Sequence, residues 1–383
     1  MREKIKRVLD SFELEGDVVS VLENDQGNIN ATYVVMTSTG KKYLLQKINT
    51  YVFKEPHLVM KNIEFVTTHI RARLDRMGDQ THQTLNIIST KNGSSMCTYV
   101  NQDGEKEYYR VFSYIDHCIS FNTFDDCGDN KEQIAYNTGK CFGFFHRLLE
   151  DFPITMLAYT IPDFHNTPKR FENLLSSIEN NATNRAFQCS QEIVYLISKI
   201  KECSVIHEAL GKSIPLRVTH NDTKLNNVLI DQNSLEGIAV IDLDTIMPGS
   251  ILYDVGDGIR SACASTFEDE TDLSKVFLNL DLAKAYLRGY LGEMGHLLTP
   301  NEVAYLGQSI RILTYELTLR FLTDYINGDI YFKTKYPEHN RDRFLNQFAL
   351  LQDIEQKLDE IEKFIRSFSS NEDFARNRKP NNN

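Results

Sequence analysis

The segment Arg217–Asp231, RVTHNDTKLNNVLID, limits the architecture of this chain more than any other stretch. An apolar strand-like run leads into His220-x-Asp222-x-Lys224-x-x-Asn227, and a second apolar run, Val228–Ile230, follows at once. A turn and a third apolar run then end in Ile241-Asp242, 15 residues after Asn227. The order is a strand expected over Leu216–Thr219, a polar loop, the apolar strand, a turn, a strand expected over Ala239–Ile241 and a terminal carboxylate. This stretch presents a carboxylate, an ammonium, an amide and a second carboxylate within one short reach of chain. The alternative reading, a polar loop between buried strands with His220 as a satisfied core histidine, explains His220 but not the other four groups. We assign His220 the task of orienting the loop backbone, Asn226 that of shaping it, and Asp254 that of bracing it.

The remainder divides by pattern. VVSVLEND (Val18–Asp25), ATYVVMTS (Ala31–Ser38) and KYLLQKI (Lys42–Ile48) read as strands separated by turns at Gly27 and Gly40. A helix is expected over His57–Leu74, and further strands over Leu85–Ile88 and Tyr108–Tyr114. This predicts five strands and a helix packed on one face. Beyond Tyr114 helical patterns dominate: Lys131–Glu150, Glu192–Leu210, Leu282–Met294, Ala304–Ile326 and Arg343–Phe368. The expected fold is α+β and bilobal. A small antiparallel-sheet lobe spans 1–113, a larger mainly helical lobe spans 114–368, and a polar, disordered tail spans 369–383. A cleft between two such lobes suits a nucleotide.

Composition narrows the partners. The formal net charge is −11, which disfavours nucleic acid and anionic membranes. No apolar run reaches the length of about 20 residues that a membrane span needs. The seven cysteines include no CxxC pair, so a zinc site is not expected, and free thiols in a reducing cytoplasm fit better than disulfides. A cytoplasmic location follows as an expectation. The charged amphipathic N-terminus, MREKIKRVLDSFELEGD, lacks the apolar centre of a signal peptide.

The loop carries the H-x-D-x-x-x-x-N spacing of kinase catalytic loops. In that chemistry Asp222 meets the acceptor hydroxyl and Lys224 offsets charge on the transferred phosphoryl group. Asn227 and Asp242 hold magnesium against the phosphates of ATP. Ser113–Asp116, with Ser113 and Ile115 as the contacts, is the expected hinge against adenine. Where kinases place a nucleotide lysine, the strand YLLQKIN carries Gln46, followed by Lys47. Neighbouring strand residues face opposite sides, so both cannot enter the cleft. We expect Gln46 to hydrogen-bond the nucleotide, with Glu64 a weaker partner. DQGNIN (Asp25–Asn30) stands where kinases cover the phosphates, although with a single glycine.

Taken together, GNINATY, YLLQKINT, HNTPKRFE, IPLRVTHNDTKLNN, IDLDTIMPGS, GDGIR, RFLTDYINGDIYF and KYPEHN resemble the aminoglycoside phosphotransferase and choline kinase superfamily. Within it they are most similar to the bacterial N-acetylhexosamine 1-kinases. The resemblance runs from about Gly27 to Asn340, and IDLDTIMPGS with DIYF…KYPEHN carries the subgroup. It implies transfer of a phosphoryl group from ATP, with Mg2+, to the anomeric hydroxyl of a small sugar. Asp222 would orient that hydroxyl, while Asn28, Thr245, Arg320 and Tyr331 would shape the sugar site. On their own residues Arg320 reads as a surface ion pair and Tyr331 as a packing residue. An uncharged sugar does call for such donors, a hydroxyl and an aromatic face. Asp244 reads equally as a metal, sugar or structural group, and Asp257 with Arg260 as a helical i,i+3 salt bridge.

Three alternatives stand beside this reading. A kinase of the same fold acting on another sugar, homoserine or choline is one; choline would want an aromatic cage, and the chain has no Trp. A catalytically inactive relative is the second, opposed by the intact Asp222, Lys224, Asn227 and Asp242. A sulfatase is the third, from the echo of S-x-P-x-R in Ser213–Arg217, without the calcium-binding carboxylates such an enzyme needs.

Overall fold

The structure is a computed structural model that describes residues 2–24 and 29–369. Asn28 and the tail from 370 onward lie outside the described residues. Helix α1 (Arg2–Leu9) precedes strands β1 (Val18–Asn24), β2 (Ala31–Thr37) and β3 (Lys42–Ile48). Helix α2 (Pro56–Met77) follows, then β4 (Ile87–Ile88), β5 (Cys97–Val100) and β6 (Lys106–Ser113). All six strands form one antiparallel sheet in the order β1-β2-β3-β6-β4, with β5 also on β6. The short β5 is absent from the five-strand expectation.

Alternation along β3 and β6 assigns the two faces of this sheet. Tyr43, Leu45, Tyr109 and Val111 pack outward against Ile5, Val8 and Leu9 of α1. Ile48 and Phe112 face the other way, onto Val59, Met60 and Ile63 of α2. Helices therefore cover both faces, not one.

After β6 the chain crosses to β7 (Cys118–Ile119) and enters a helical region: α3 (Lys131–Leu148), α4 (Thr167–Asn180), α5 (Ser190–Cys203) and α6 (Val205–Ala209). The single helix expected over Glu192–Leu210 is broken at Ser204. Strands β8 (Arg217–Thr219), β9 (Val228–Asp231), β10 (Gly237–Val240) and β11 (Met247–Gly249) follow. They pair as β10-β9-β7 and β11-β8, so the short strands expected around the loop fall into two small antiparallel sheets. Helices α7 (Ile251–Ala262), α8 (Leu280–Met294), α9 (Pro300–Asn327) and α10 (His339–Ser369) complete the chain.

The larger lobe is organised by close helix crossings. A Cβ on Gly139 of α3 would sit 2.0 Å from Tyr286 O of α8, and one on Gly289 of α8 would sit 2.0 Å from Tyr136 O. Only glycine lets these backbones touch. Helix α9 starts with a Thr299/Glu302 capping box and a first-turn Pro300, and it ends on the left-handed Gly328. Glu302 also receives Arg217 Nε at 2.7 Å and Nη2 at 3.0 Å. The start of α9 is thereby fixed to β8, the strand that leads into the His220–Asn227 loop. This buried pairing is the role of the arginine in the S-x-P-x-R echo.

Side-chain bonds span the two lobes. Asn62 of α2 donates to Ala158 O and Ile246 O, both at 2.8 Å, and accepts from Ala158 N. Among the described residues no helix is long and apolar enough to cross a membrane.

Candidate active site

The loop after β8 is fixed from behind by Asp254 of α7. Its carboxylate accepts from His220 N at 2.6 Å, Asn221 N at 2.7 Å and the His146 ring at 2.9 Å. Asp254 is 1% exposed, so its charge is met by protein donors rather than water. His220 Nε2 donates to Ile241 O at 2.8 Å, and its Nδ1 accepts from Asp222 N at 3.2 Å. The bracing expected of Asp254 and the backbone role expected of His220 are both visible in these bonds. Asn221 takes a left-handed φ of 64°, which turns the chain sharply toward the cleft.

That turn presents Asp222 with Lys224 Nζ 2.8 Å from its Oδ1. The neighbouring Asp222 charge is the chief cause of a Lys224 pKa above the usual lysine range. Asn227 Nδ2 donates to Asp222 O at 2.7 Å and to its carboxylate at 3.2 Å, which leaves the Asn227 amide oxygen directed elsewhere. Ile241 N bonds Asn227 O at 2.9 Å and so draws the next strand end, with Asp242, beside the loop. Asp242 is itself left-handed at φ 59°. Burial, followed by the charges of Asp244 and Asp222, pushes its carboxyl up to about 7.

Such a crowded carboxylate stabilises a cation beside it. No group of three or more His, Cys, Asp and Glu suited to a metal occurs among the described residues. Asp242 and the Asn227 oxygen fit a hard divalent ion that takes its remaining oxygen ligands from phosphate or water, as Mg2+ does.

The smaller lobe roofs a cleft of about 460 Å³. Gln46, Ser113, Ile115, Asp222, Lys224, Asn227 and Asp242 all line it, so seven of the predicted site residues meet in one space. Ser113 N bonds Asn86 O and Tyr114 N bonds Lys42 O. Lys47 lies on the opposite face of β3 and pairs with Glu107 at 2.7 Å.

Gln46 accepts from Arg110 Nε at 3.0 Å and Nη2 at 2.8 Å, and its Nε2 donates to Thr32 Oγ1 at 3.2 Å. Arg110 is 1% exposed and lies 2.5 Å from Asp244 Oδ1, a charge pair rather than an aligned hydrogen bond. Asp244 also accepts from Asn30 at 2.7 Å. Its structural reading is therefore the one the contacts support.

Thr245, Arg320 and Tyr331 do not line this cleft. Thr245 is buried and its hydroxyl donates to His220 O at 2.6 Å, within the loop frame. Arg320 lies over the Phe332 ring at 5.5 Å, and Tyr331 meets the same ring edge-on at 4.8 Å. Arg170 stands beside them, held below the usual arginine range by burial and then by Arg320. Glu316 on α9 takes His165 at 3.0 Å and Thr167 at 2.9 Å. These groups form a second polar region on the α9 side of the loop. Asp257 and Arg260 do pair, at 2.7 Å, but deep in the protein, where Arg260 also reaches Glu268 and Gln347.

Residues 20–296 match the family described as APH, phosphotransferase enzyme family. The chain belongs to that family. Solved structures similar to this phosphotransferase include a microcompartment-associated aminopropanol kinase, at 14% identity and TM-score 0.60, covering 94% of this chain and 99% of that one. An amicoumacin kinase in complex with AMP-PNP, Ca2+ and Ami follows at 12% identity and TM-score 0.56, covering 96% and 93%. The choline kinase of Cryptosporidium parvum Iowa II has 15% identity and TM-score 0.55, covering 97% and 100%. At such identities the likeness is one of fold, and it agrees with the bilobal α+β architecture expected from the sequence.

Sequence reasoning missed Arg110 in this phosphotransferase. It stands in KEYYRVFS as one cation among aromatic strand residues, and only the β3–β6 register sets it opposite Gln46. The alternation of β6 was the available signal: Arg110 shares the face of Phe112, which points into the protein.

Proposed function

We propose that the protein is an ATP-dependent small-molecule kinase that phosphorylates the anomeric hydroxyl of an N-acetylhexosamine, GlcNAc or GalNAc, to the sugar 1-phosphate. One observation carries the kinase part: Asp222, Lys224, Asn227 and Asp242 converge on a single cleft beneath Ser113 and Ile115. Adenine would lie against Ser113–Ile115, with its phosphates directed toward Asn227 and Asp242. Mg2+ held there would neutralise charge on those phosphates.

Asp222 lies where it can orient the acceptor hydroxyl and take its proton as the hydroxyl oxygen bonds the γ-phosphorus. The bond from that phosphorus to the β-γ bridging oxygen breaks, and ADP departs. Lys224, tied to Asp222, offsets the charge of the moving phosphoryl group. Positioning and electrostatics supply most of the rate in such transfers. The amicoumacin kinase structure, with its AMP-PNP and Ca2+, supports a nucleotide and a divalent ion in this fold.

The acceptor assignment rests on the resemblance carried by IDLDTIMPGS and DIYF…KYPEHN, and on the grouping of Arg320 with Tyr331 beyond the catalytic loop. Neither the net charge nor the composition favours a nucleic-acid or membrane partner. The test is an ADP-release assay with magnesium and ATP over GlcNAc, GalNAc, GlcN, glucose, galactose and choline, with phosphorus NMR of the product. An anomeric phosphate from the N-acetylhexosamines supports the assignment. Turnover only on another acceptor retains the kinase and removes the sugar. Silence throughout removes both.

A further inference from the structure

The β3 position that carries a nucleotide lysine in kinases holds an amide here, and the next residue, Lys47, is committed to Glu107 on the other face. The roof of the cleft nevertheless contains a buried cation. Arg110 pairs with Gln46 in the β3–β6 register, so the two side chains stand side by side on the cleft face. Both line the same space as Asp222, Asn227 and Asp242.

The chemistry of the pair fixes its polarity. A guanidinium has donors and no acceptor. Two of its N–H groups close on the single Gln46 oxygen, so that oxygen must face Arg110. The Gln46 NH2 is then turned away from the arginine, toward Thr32, which is also a cleft residue. A lone carboxamide in a strand is free to present either end. This one is not, because inverting it would set an NH2 against a buried cation.

Arg110 is in turn held in place where it lines the cleft. Asp244 holds one side of it, and the Phe112 ring lies 5.1 Å from the guanidinium carbon. A lysine at position 46 would put a second cation next to Arg110 in a poorly solvated site, which is electrostatically unfavourable.

We infer that Arg110 is a positioning residue for the nucleotide: with Asp244 as its counter-ion, it locks Gln46 so that the carboxamide NH2 stays on the cleft side, one N–H on Thr32 and the other available to the phosphates of a nucleoside di- or triphosphate. An Arg–Gln pair thus replaces the Lys–Glu pair of other kinases. The reading rests on the nucleotide site proposed above.

The experiment is calorimetric titration of MgADP and of adenosine into the wild-type protein and its Gln46→Glu, Gln46→Leu, Arg110→Lys and Gln46→Leu/Arg110→Lys variants. Gln46→Glu keeps the Arg110 pairing and the shape, and replaces a donor by a negative charge. It is expected to weaken MgADP by about tenfold or more, the size of a lost charge-assisted hydrogen bond, with adenosine unchanged. Arg110→Lys is expected to weaken MgADP but not adenosine, and to add nothing once Gln46 is leucine, because it acts through that residue.

Equal losses for ADP and adenosine would reduce the pair to a structural role and overturn the inference. Unchanged MgADP binding in Gln46→Glu would overturn it as well, as would additive losses in the double variant. Should Arg110→Lys fail to fold, the two Gln46 variants decide. A wild-type protein that binds neither ligand removes the nucleotide site itself; one that binds both while Gln46→Glu is silent removes only the pair.

Discussion

Asn30 Nδ2 donates to Asp244 Oδ2 over 2.7 Å, joining residues 214 positions apart in the chain. The start of β2 is thereby attached to the turn that follows the Asp242 strand. Arg110 reaches the other oxygen of the same carboxylate, so one buried side chain receives two groups from the opposite lobe. Asp244→Ala should cost about 3–5 kcal/mol, because it leaves the buried Arg110 charge unpaired. Urea unfolding with and without the substitution measures this. A loss below about 1 kcal/mol, the range of exposed ion pairs, would mean that water reaches the pair.

Asp222→Asn should lower kcat by about 10²–10⁴-fold, the usual contribution of a positioned acid–base group, while MgADP binding is little changed. The amide keeps an oxygen near Lys224 but cannot take a proton. Near-normal turnover would remove Asp222 from the catalytic role.

On the proposed assignment Arg320→Ala should raise KM for the acceptor more than KM for ATP, since Arg320 stands with Tyr331 outside the cleft that Asp222 and Asp242 line. Initial rates with each substrate varied in turn provide the check. An equal rise in both constants would detach Arg320 from the acceptor.

The pH dependence of the smaller lobe should follow Glu107. Burial alone would raise its pKa. Hydrogen bonds from Lys4, Lys47 and Tyr109 outweigh that and hold it at about 2 against an ordinary 4.5. A depressed carboxyl stabilises the fold fully above its unfolded pKa, and the contribution disappears as pH falls through the folded value. The stability gap between the wild type and Glu107→Gln should therefore be constant above pH 4.5 and close as pH falls toward about 2. Paired unfolding titrations would show it; a gap that does not depend on pH would point to packing instead.

Legibility of the sequence followed the range of the forces involved. Strands β1, β2 and β3 are written in local alternation, and they form where expected. The His220–Asn227 loop and Asp242 are legible because the chemistry proposed for them needs four groups at short, fixed spacing. Helix α7 was read only through the helical i,i+3 pair Asp257 and Arg260 and not given its extent, because it holds Gly256 and Gly258, which weaken a helix taken alone. The reason for Gly256 lies in α9, where Ser309 O would be 2.5 Å from a Cβ at that position. Helix α4 was not read either, although the Asn166 cap and Pro168 in its first turn were available signals for its start. Arg110, Asp244 and Asn30 are far apart in sequence, and no local pattern joins them.

The braces of the catalytic loop and the side chains proposed to meet the acceptor differ sharply in exposure. Asp254 and His220 are 1% and 0% exposed, whereas Tyr331 and its neighbour Ile330 are 62% and 73% exposed. Substitution of buried, fully bonded groups disturbs folding, while exposed positions usually change stability by only about 0.5 kcal/mol. The segment around Ile330 and Tyr331 can therefore vary from one descendant to the next with little effect on the phosphoryl-transfer apparatus. If that segment meets the acceptor, new substrates are accessible by mutation long before new chemistry is.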